Sequence, residues 1–366
     1  MIAGDFAEDC GFSERPRRRA SARRQWLPGQ DRIRVVRYLI TGGSGYIGGR
    51  LTDELSGREE TEKIVDVDLR PPPRTWPNHE FVKADIRDRR KMQELLERHE
   101  IDTVLHFAFV LNPIRDESRM YDIDVNGTQA VLQAAADAGV KQVIQTSSAT
   151  AYGAFPDNPK PIAEDWPVRG APDFSYAKHK ADSDRIAQLW ALENPDAVMT
   201  IVRPSIVFGP SVDNYIVRAF ANNPFVPILD GVDEEFQLVH EDDVVSALIA
   251  LLDGKHEGAF NLAGDGLLTW GRAAELVGKK TRNISLKNMK RFNNAMWKLR
   301  VPRTEAPAGN LDFIRYPWVV STEKLKSTTD WQPKYDTLET FKITMRAKGL
   351  LPESPTTVQT PTAPVA

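Results

Sequence analysis

A tyrosine and a lysine stand four residues apart in FSYAKHKADSDR, the stretch that begins at Phe174. On a helix this spacing puts Tyr176 and Lys180 on one face, close enough to feel each other's charge. A free phenol titrates near pH 10, so acting as a base near neutrality needs a shift of roughly 3 units, about 4 kcal/mol. One positive charge at about 4 Å supplies about 4 kcal/mol at an effective dielectric of 20. Lys180 is therefore a large enough influence to make Tyr176 a working acid/base. Tyr–Lys pairs at this spacing also arise by chance on amphipathic helices, so the pair needs independent support.

That support lies at YLITGGSGYIGGRL (38–51), which reads as strand, glycine-rich turn and amphipathic helix. Glycines let the backbone approach a pyrophosphate, and the N–H groups and dipole of the helix start favour its charge. Two spacings fit, Gly43-x-Gly45-x-x-Gly48 and Gly42-x-x-Gly45-x-x-Gly48. The candidate contacts are Gly42, Gly45 and Gly48, with Tyr46 and Ile47 at the helix start. Asp68 ends the second strand twenty residues after Gly48, where a carboxylate can accept hydrogen bonds from an adenosine ribose. The same carboxylate repels a 2′-phosphate, so NAD is expected as the cofactor in preference to NADP, with Arg70 nearby tempering the preference. The glycines are not followed by Lys-Ser/Thr, which excludes a P-loop. A bound oxidised nicotinamide would add its positive charge to that of Lys180 beside Tyr176.

The surrounding elements fit such a site. RVVRYLIT (34–41), KIVDVD (63–68), HEFVKADI (79–86), IDTVLHFAF (101–109) and VKQVIQTSS (140–148) read as strands, separated by helical patterns at 46–56, RRKMQELLERHE and NGTQAVLQAAADAG. AVMTIVRPSIVFGP (197–210) reads as one further strand. Strands alternating with helices of this length imply parallel crossover units. The expected fold is α/β, a Rossmann-type doubly wound parallel sheet with a smaller C-terminal substrate lobe. The expected organisation is a disordered basic leader (1–31), an NAD-binding domain including the catalytic helix (32–204), a substrate lobe with segments returning to the sheet (205–350), and a disordered tail (351–366).

Composition narrows the class. The chain has 366 residues, 41% hydrophobic and 27% charged, the balance of a soluble globular protein. A net charge of −3 argues against nucleic acid or a membrane as partner. The apolar stretch VVSALIALL (244–252) is about half the length of a bilayer span. A single cysteine, Cys10, rules out an internal disulfide and suits a cytoplasmic location. HEDD (240–243) reads as an acidic helix start, and no metal is expected. RPRRRASARR holds six arginines in ten positions with no apolar signal core after them.

Taken together, TGGSGYIGG, SSATAYG (147–153), SYAKHK, RPSIVFGP (203–210) and FQLVHEDDV (236–244) resemble the extended short-chain dehydrogenases/reductases, in their NAD-dependent epimerase/dehydratase branch, UDP-glucose 4-epimerase among them. The resemblance runs from about 35 to 345. It implies that Ser148 orients the substrate oxygen, that Tyr176 exchanges its proton, and that Lys180 also bonds the nicotinamide ribose. It places Asp85 and Ile86 beside the adenine, and Phe107, Ala108 and Phe109 along the dinucleotide. Ser147 is expected to be structural and His106 a packed strand residue. The implied partner is a small-molecule substrate, and homodimers through two helices are common in the family.

Three departures bear on the substrate. Members acting on sugar nucleotides usually carry Asn where this chain has Ile206, with Phe208 where Tyr is common. Many epimerases hold the diphosphate with an arginine at the position of Phe236, for which Arg303 or Arg315 would have to compensate. Asp124 replaces the usual Asn three residues before Gly127. The first expectation is a nucleotide-sugar epimerase/dehydratase that retains NAD. The alternatives are a net dehydrogenase/reductase of a non-sugar alcohol or ketone, similar to the 3β-hydroxysteroid dehydrogenases, and a non-catalytic dinucleotide-binding regulator.

Overall fold

The computed structural model describes residues 35–112, 114–301 and 307–352. The basic leader (1–31), Cys10, Arg303 and the tail from 353 onward lie outside the described residues. The first half runs β1 (Val36–Thr41), α1 (Tyr46–Ser56), β2 (Thr61–Asp68), β3 (His79–Lys83), α2 (Arg89–Arg98) and β4 (Thr103–His106). It continues with α3 (Glu117–Tyr121), α4 (Gly127–Asp137), β5 (Gln142–Thr146), α5 (Ser175–Glu193) and β6 (Val198–Pro204). Next come β7 (Ile206–Phe208), α6 (Tyr215–Asn222), β8 (Phe225–Leu229), β9 (Glu235–Phe236), β10 (Leu238–His240), α7 (Glu241–Gly254) and β11 (Gly258–Leu262). The last elements are β12 (Leu268–Thr269), α8 (Trp270–Leu276), β13 (Lys280–Ile284), α9 (Leu286–Lys298), α10 (Asp312–Arg315), α11 (Glu323–Thr329) and α12 (Thr337–Ala347).

Seven strands form one sheet in the order β11-β6-β5-β4-β1-β2-β3, with every pair parallel. Parallel strands in such a sheet are buried on both faces and read as continuous apolar runs. β1 shows the consequence: Leu39 packs with Met92, Leu95, Val131 and Ala187 from α2, α4 and α5. Its neighbours Tyr38 and Ile40 pack on the other face with Leu51 and Leu55 of α1 and Leu248 of α7. Each such buried Leu, Ile or Val contributes about 1.5–3 kcal/mol. The doubly wound parallel sheet is as the alternation of elements implied.

The run 197–210 does not form one strand. Pro204 cannot donate to a ladder, and the chain leaves the sheet there. β6 stays in the large sheet beside β5 and β11, while β7 pairs with β10 in a separate two-stranded sheet. β11 sits at the edge of the large sheet although it follows residue 210. A separate apolar core joins α6, β9, α8, α10 and α12 through Phe220, Phe236, Trp270, Phe313 and Phe341.

A buried ion pair fastens α5 to the sheet. Arg203 on β6 donates from Nε to Asp184 Oδ2 at 2.9 Å and from Nη2 to Oδ1 at 2.8 Å. Its Nη1 donates to the Tyr152 hydroxyl at 2.7 Å and the Glu164 carbonyl at 3.0 Å, so the guanidinium is well satisfied. Both charged side chains are buried. Removing one partner strands the other, which costs about 3–5 kcal/mol. Asp184→Ala should therefore lower urea-unfolding stability by about that much, and adding Arg203→Met should recover part of it. Equal losses in the single and double variants would show that the pair is not what holds α5.

Candidate active site

The sheet order turns back on itself between β1 and β4, the place where the loops after two neighbouring strands diverge and leave a crevice. The glycine loop follows β1 there. Gly42 has φ +73°, and a Cβ on it would lie 2.8 Å from the Ala108 nitrogen in the loop after β4. A Cβ on Gly48 would lie 2.2 Å from the Gly42 carbonyl oxygen, so α1 can begin this close to the strand only without a side chain. Gly45 caps α1 with no side-chain cap bond, which leaves the first-turn N–H groups for an anion. The loop is tied down by Gly42 N donating to the Val67 carbonyl at 2.9 Å and by Ser44 Oγ donating to Asp66 at 2.8 Å.

One cavity of about 1640 Å³ runs along this crevice. Its wall includes Gly42, Gly45, Tyr46, Ile47 and Gly48 at the turn, Asp68, Asp85 and Ile86 at one end, and Phe107, Ala108 and Phe109 along its side. Ser148, Tyr176 and Lys180 stand farther along the same wall. Every site residue expected from the sequence is thus brought to one space. Asp68 Oδ1 is held by the Leu69 and Arg70 N–H groups at 2.6 and 3.2 Å. The Arg87 guanidinium holds the Asp85 carboxyl below the usual carboxylate range.

The reactive group is built from two elements. Ser148 ends the β5 segment and caps a short 3-10 turn (Ala149–Tyr152), its Oγ accepting from Thr150 N at 3.1 Å and from Thr150 Oγ1 at 2.9 Å. Ser148 and Tyr176 line the cavity together, and the Ser148 hydroxyl favours the ionised phenol. Lys180, 4% exposed, donates from Nζ to the Thr146 carbonyl at 2.7 Å and lies 3.6 Å from the Phe109 ring centroid. Its distance to the Tyr176 ring centroid is 6.0 Å. Burial pushes the Tyr176 phenol up to about 12, against the opposing effect of the Ser148 hydroxyl. Burial pushes the Lys180 amine down to about 7, against the attraction of Asp124 and Asp184. Burial thus pushes each of the two groups toward its neutral form.

His106 is packed between hydroxyls, Nδ1 2.6 Å from Thr41 Oγ1 and Nε2 2.9 Å from Thr128 Oγ1, and burial pushes its pKa down to about 3. HEDD starts α7, with His240 Nδ1 accepting from Asp242 N at 3.2 Å and Glu241, Asp242 and Asp243 in the first turn. Glu241 also accepts from the Tyr46 hydroxyl and, at 2.8 Å, from Ser211 Oγ, which joins the cofactor turn to α7.

Two parts of the site were not visible in the sequence. Asp124, noted there only as a replacement, is buried behind Lys180 in a π-helical turn (Asp122–Asn126). Its Oδ1 accepts from Val110 N at 2.8 Å and its Oδ2 lies 2.9 Å from His179 Nδ1. Tyr215 opens α6 close to Tyr176, and burial together with the Tyr176 phenol raises its pKa. The only local signal was Asn214, whose Oδ1 accepts from Ile216 N at 3.1 Å and Val217 N at 2.9 Å as a helix cap.

The sequence model of the NAD dependent epimerase/dehydratase family matches residues 38–263. The chain belongs to this family. An uncharacterised protein of Mycobacterium tuberculosis is 28% identical over 327 residues, 86% of this chain and 84% of its own length. The fold is similar to dTDP-glucose 4,6-dehydratase from Bacillus anthracis in complex with NAD (TM-score 0.65, 20% identity, 86% of this chain and 97% of that one). It is equally similar to UDP-glucose 4-epimerase from Thermotoga maritima with UDP-glucose (TM-score 0.64, 20% identity, 86% and 99%). As a member of an NAD-dependent family, this epimerase/dehydratase relative takes NAD as its cofactor, and the glycine cradle has the clearance and the free N–H groups that a pyrophosphate needs.

Because Lys180 is held at about 7 in the fold against 10.5 for an ordinary lysine, the unfolded chain binds the extra proton between those values. Stability therefore rises with pH across that window, and the cost of burying the amine is greatest below it. Lys180→Met should raise the melting temperature most near about pH 6, with the gain shrinking steadily toward about pH 10. A difference that stays constant with pH would show that the amine is not buried as charged or neutral in this way.

Proposed function

We propose that this protein is an NAD-dependent oxidoreductase acting on a secondary alcohol or ketone of a lipophilic molecule, with Tyr176 as its acid/base. Bound NAD supplies hydride transfer at the reacting carbon. Tyr176 exchanges the proton of the substrate oxygen, and Ser148 orients that oxygen through its own hydroxyl. Lys180 supplies the positive charge that eases ionisation of the phenol and would hold the nicotinamide ribose. A phenol standing at about 12 is protonated at neutrality, which suits donation to a carbonyl oxygen.

The observation that carries the substrate class is the wall beyond Tyr176, formed by Phe174, Ile206, Phe220, Trp270, Phe313 and Trp318. A nucleoside diphosphate wants cations there. Phe236 instead stacks behind Trp270 at 4.2 Å, and Arg315 lies 3.5 Å from Asp230. Arg218 is on the wall but donates to Asp213 at 2.6 Å and to Asn112 at 3.3 Å. A second reading, a UDP-hexose 4-epimerase-like enzyme that retains NAD, is favoured by five buried atoms of wall residues without a protein partner: Thr146 Oγ1, Ser147 Oγ, Ser205 Oγ, Trp270 Nε1 and Asn310 Oδ1. Such atoms suit a hydroxyl-rich substrate.

The two readings separate in one assay. The purified protein is supplied with lipophilic secondary alcohols and NAD while NADH absorbance is followed, and with UDP-glucose or UDP-galactose without added NAD. NADH accumulating with the alcohols and unchanged UDP-hexoses are expected; interconversion of the UDP-hexoses reverses the substrate assignment. Tyr176→Phe should lower kcat by roughly 10²–10⁴-fold while dinucleotide affinity, read by fluorescence titration, stays near the parent's. A rate close to the parent's would remove Tyr176 from its role.

A further inference from the structure

Between Lys279 and Arg300 the chain carries eight lysines and arginines and no aspartate or glutamate, although its overall charge is −3. This stretch holds β13 and α9. α9 has 13 residues, a rod of about 20 Å, and buries only Leu286. Along one side of it stand Lys287, Arg291 and Lys298, all exposed. Among the described residues no carboxylate lies within ion-pair distance of these three, whereas Lys290 bonds Asp312 at 2.7 Å.

The other side of α9 is apolar. Met289, Phe292 and Met296 line the cavity described above, yet Phe292 is 60% exposed, and Leu299, just past the helix end, is 71% exposed. Leu111, from the loop after β4, lines the same cavity and is 41% exposed. Arg115 on that loop donates to the Trp297 carbonyl and sits 4.6 Å from the Trp297 ring centroid, adding a cation to the same region. A helix with cations on one side and Phe, Leu and Met on the other matches the composition of segments that lie in the plane of a lipid interface.

We propose that α9 and the adjoining Leu111 loop dock this protein on an anionic lipid surface, with the cavity mouth turned toward the bilayer. A second copy of the chain fits this face less well, because a two-fold contact through α9 would set its cations against their own copies. The net charge, which argued against a membrane partner, averages away a strongly basic patch. Among the described residues no helix is long and apolar enough to cross a membrane, so the contact is peripheral. The idea that substrate enters from the bilayer rests on the lipophilic substrate proposed above; the docking itself does not.

The test is flotation of the full-length protein with vesicles of phosphatidylcholine alone and of phosphatidylcholine containing about 30% phosphatidylglycerol. Binding to the anionic vesicles and none to the neutral ones is expected. The triple variant Lys287→Gln, Arg291→Gln, Lys298→Gln should weaken that binding roughly a hundred-fold, since each cation near the surface is worth about five-fold. Phe292→Ser with Leu299→Ser should make the remaining binding purely electrostatic, so that it is lost at high salt while the parent's is partly retained. Circular dichroism verifies that the variants are folded. No binding to anionic vesicles, or binding that neither variant changes, overturns the proposal. A parent dimer in sedimentation that Phe292→Ser with Leu299→Ser dissociates would assign the face to a second copy instead. Flotation needs no turnover, so failed docking leaves the hydride-transfer reading intact, and a failed alcohol assay leaves the docking intact.

Discussion

The site depends on how α5 is seated. This helix turns polar residues inward, with His179, Lys180, Ser183 and Asp184 all buried, which a helix does only when each finds a partner. Asp184 meets Arg203 of β6, and His179 meets Asp124 of the π-helical turn. Ser183 donates to the Asp124 carbonyl at 3.0 Å, and Lys180 donates to the Thr146 carbonyl. The Arg203–Asp184 fork sets the height of the helix over the sheet, one turn beyond Lys180 and two beyond Tyr176. Position of the phenol is thus inherited from a buried ion pair eight residues away.

Within that seat, burial and charge oppose each other. Desolvation raises the phenol and lowers the amine, so each is pushed toward its neutral form. Asp124 sits behind both and works against the lysine's desolvation, while it also resists ionisation of the phenol. An asparagine at that place would hold the same Val110 N–H without the charge. The replacement therefore changes the electrostatics of the site more than its geometry. Phe109 adds to this by laying its ring face on the ammonium and standing perpendicular to the Tyr176 ring, with centroids 5.7 Å apart.

The cavity changes character along its length. Around the glycine turn it is lined by backbone and by Asp68 and Asp85, whereas beyond Tyr176 it is lined by aromatic rings that share a core with α6, α8, α10 and α12. Phe236 belongs to that core, stacked on Trp270, so a long side chain that packs there also removes a cation from the wall. α9 closes this end as a thinly packed strap, and its outer face is where the apolar interior reaches solvent.

The alternation of strand and helix, the glycine turn and the Tyr176–Lys180 spacing were legible from the amino-acid order, because each follows from local rules: backbone reach, side-chain period and helical pitch. Those rules marked Gly42, Gly48, Asp68, Tyr176 and Lys180, the family resemblance marked Ser148, and all six line one cavity. The same rules misjudged 197–210, where Pro204 breaks a run that looks continuous. What only the tertiary structure decided is everything that depends on burial: the protonation balance of Tyr176 and Lys180, the pairing of Asp124 with His179, and the arrival of Tyr215 beside the phenol. Desolvation is a property of the surroundings, assembled from elements a hundred residues apart, and no spacing within a motif encodes it.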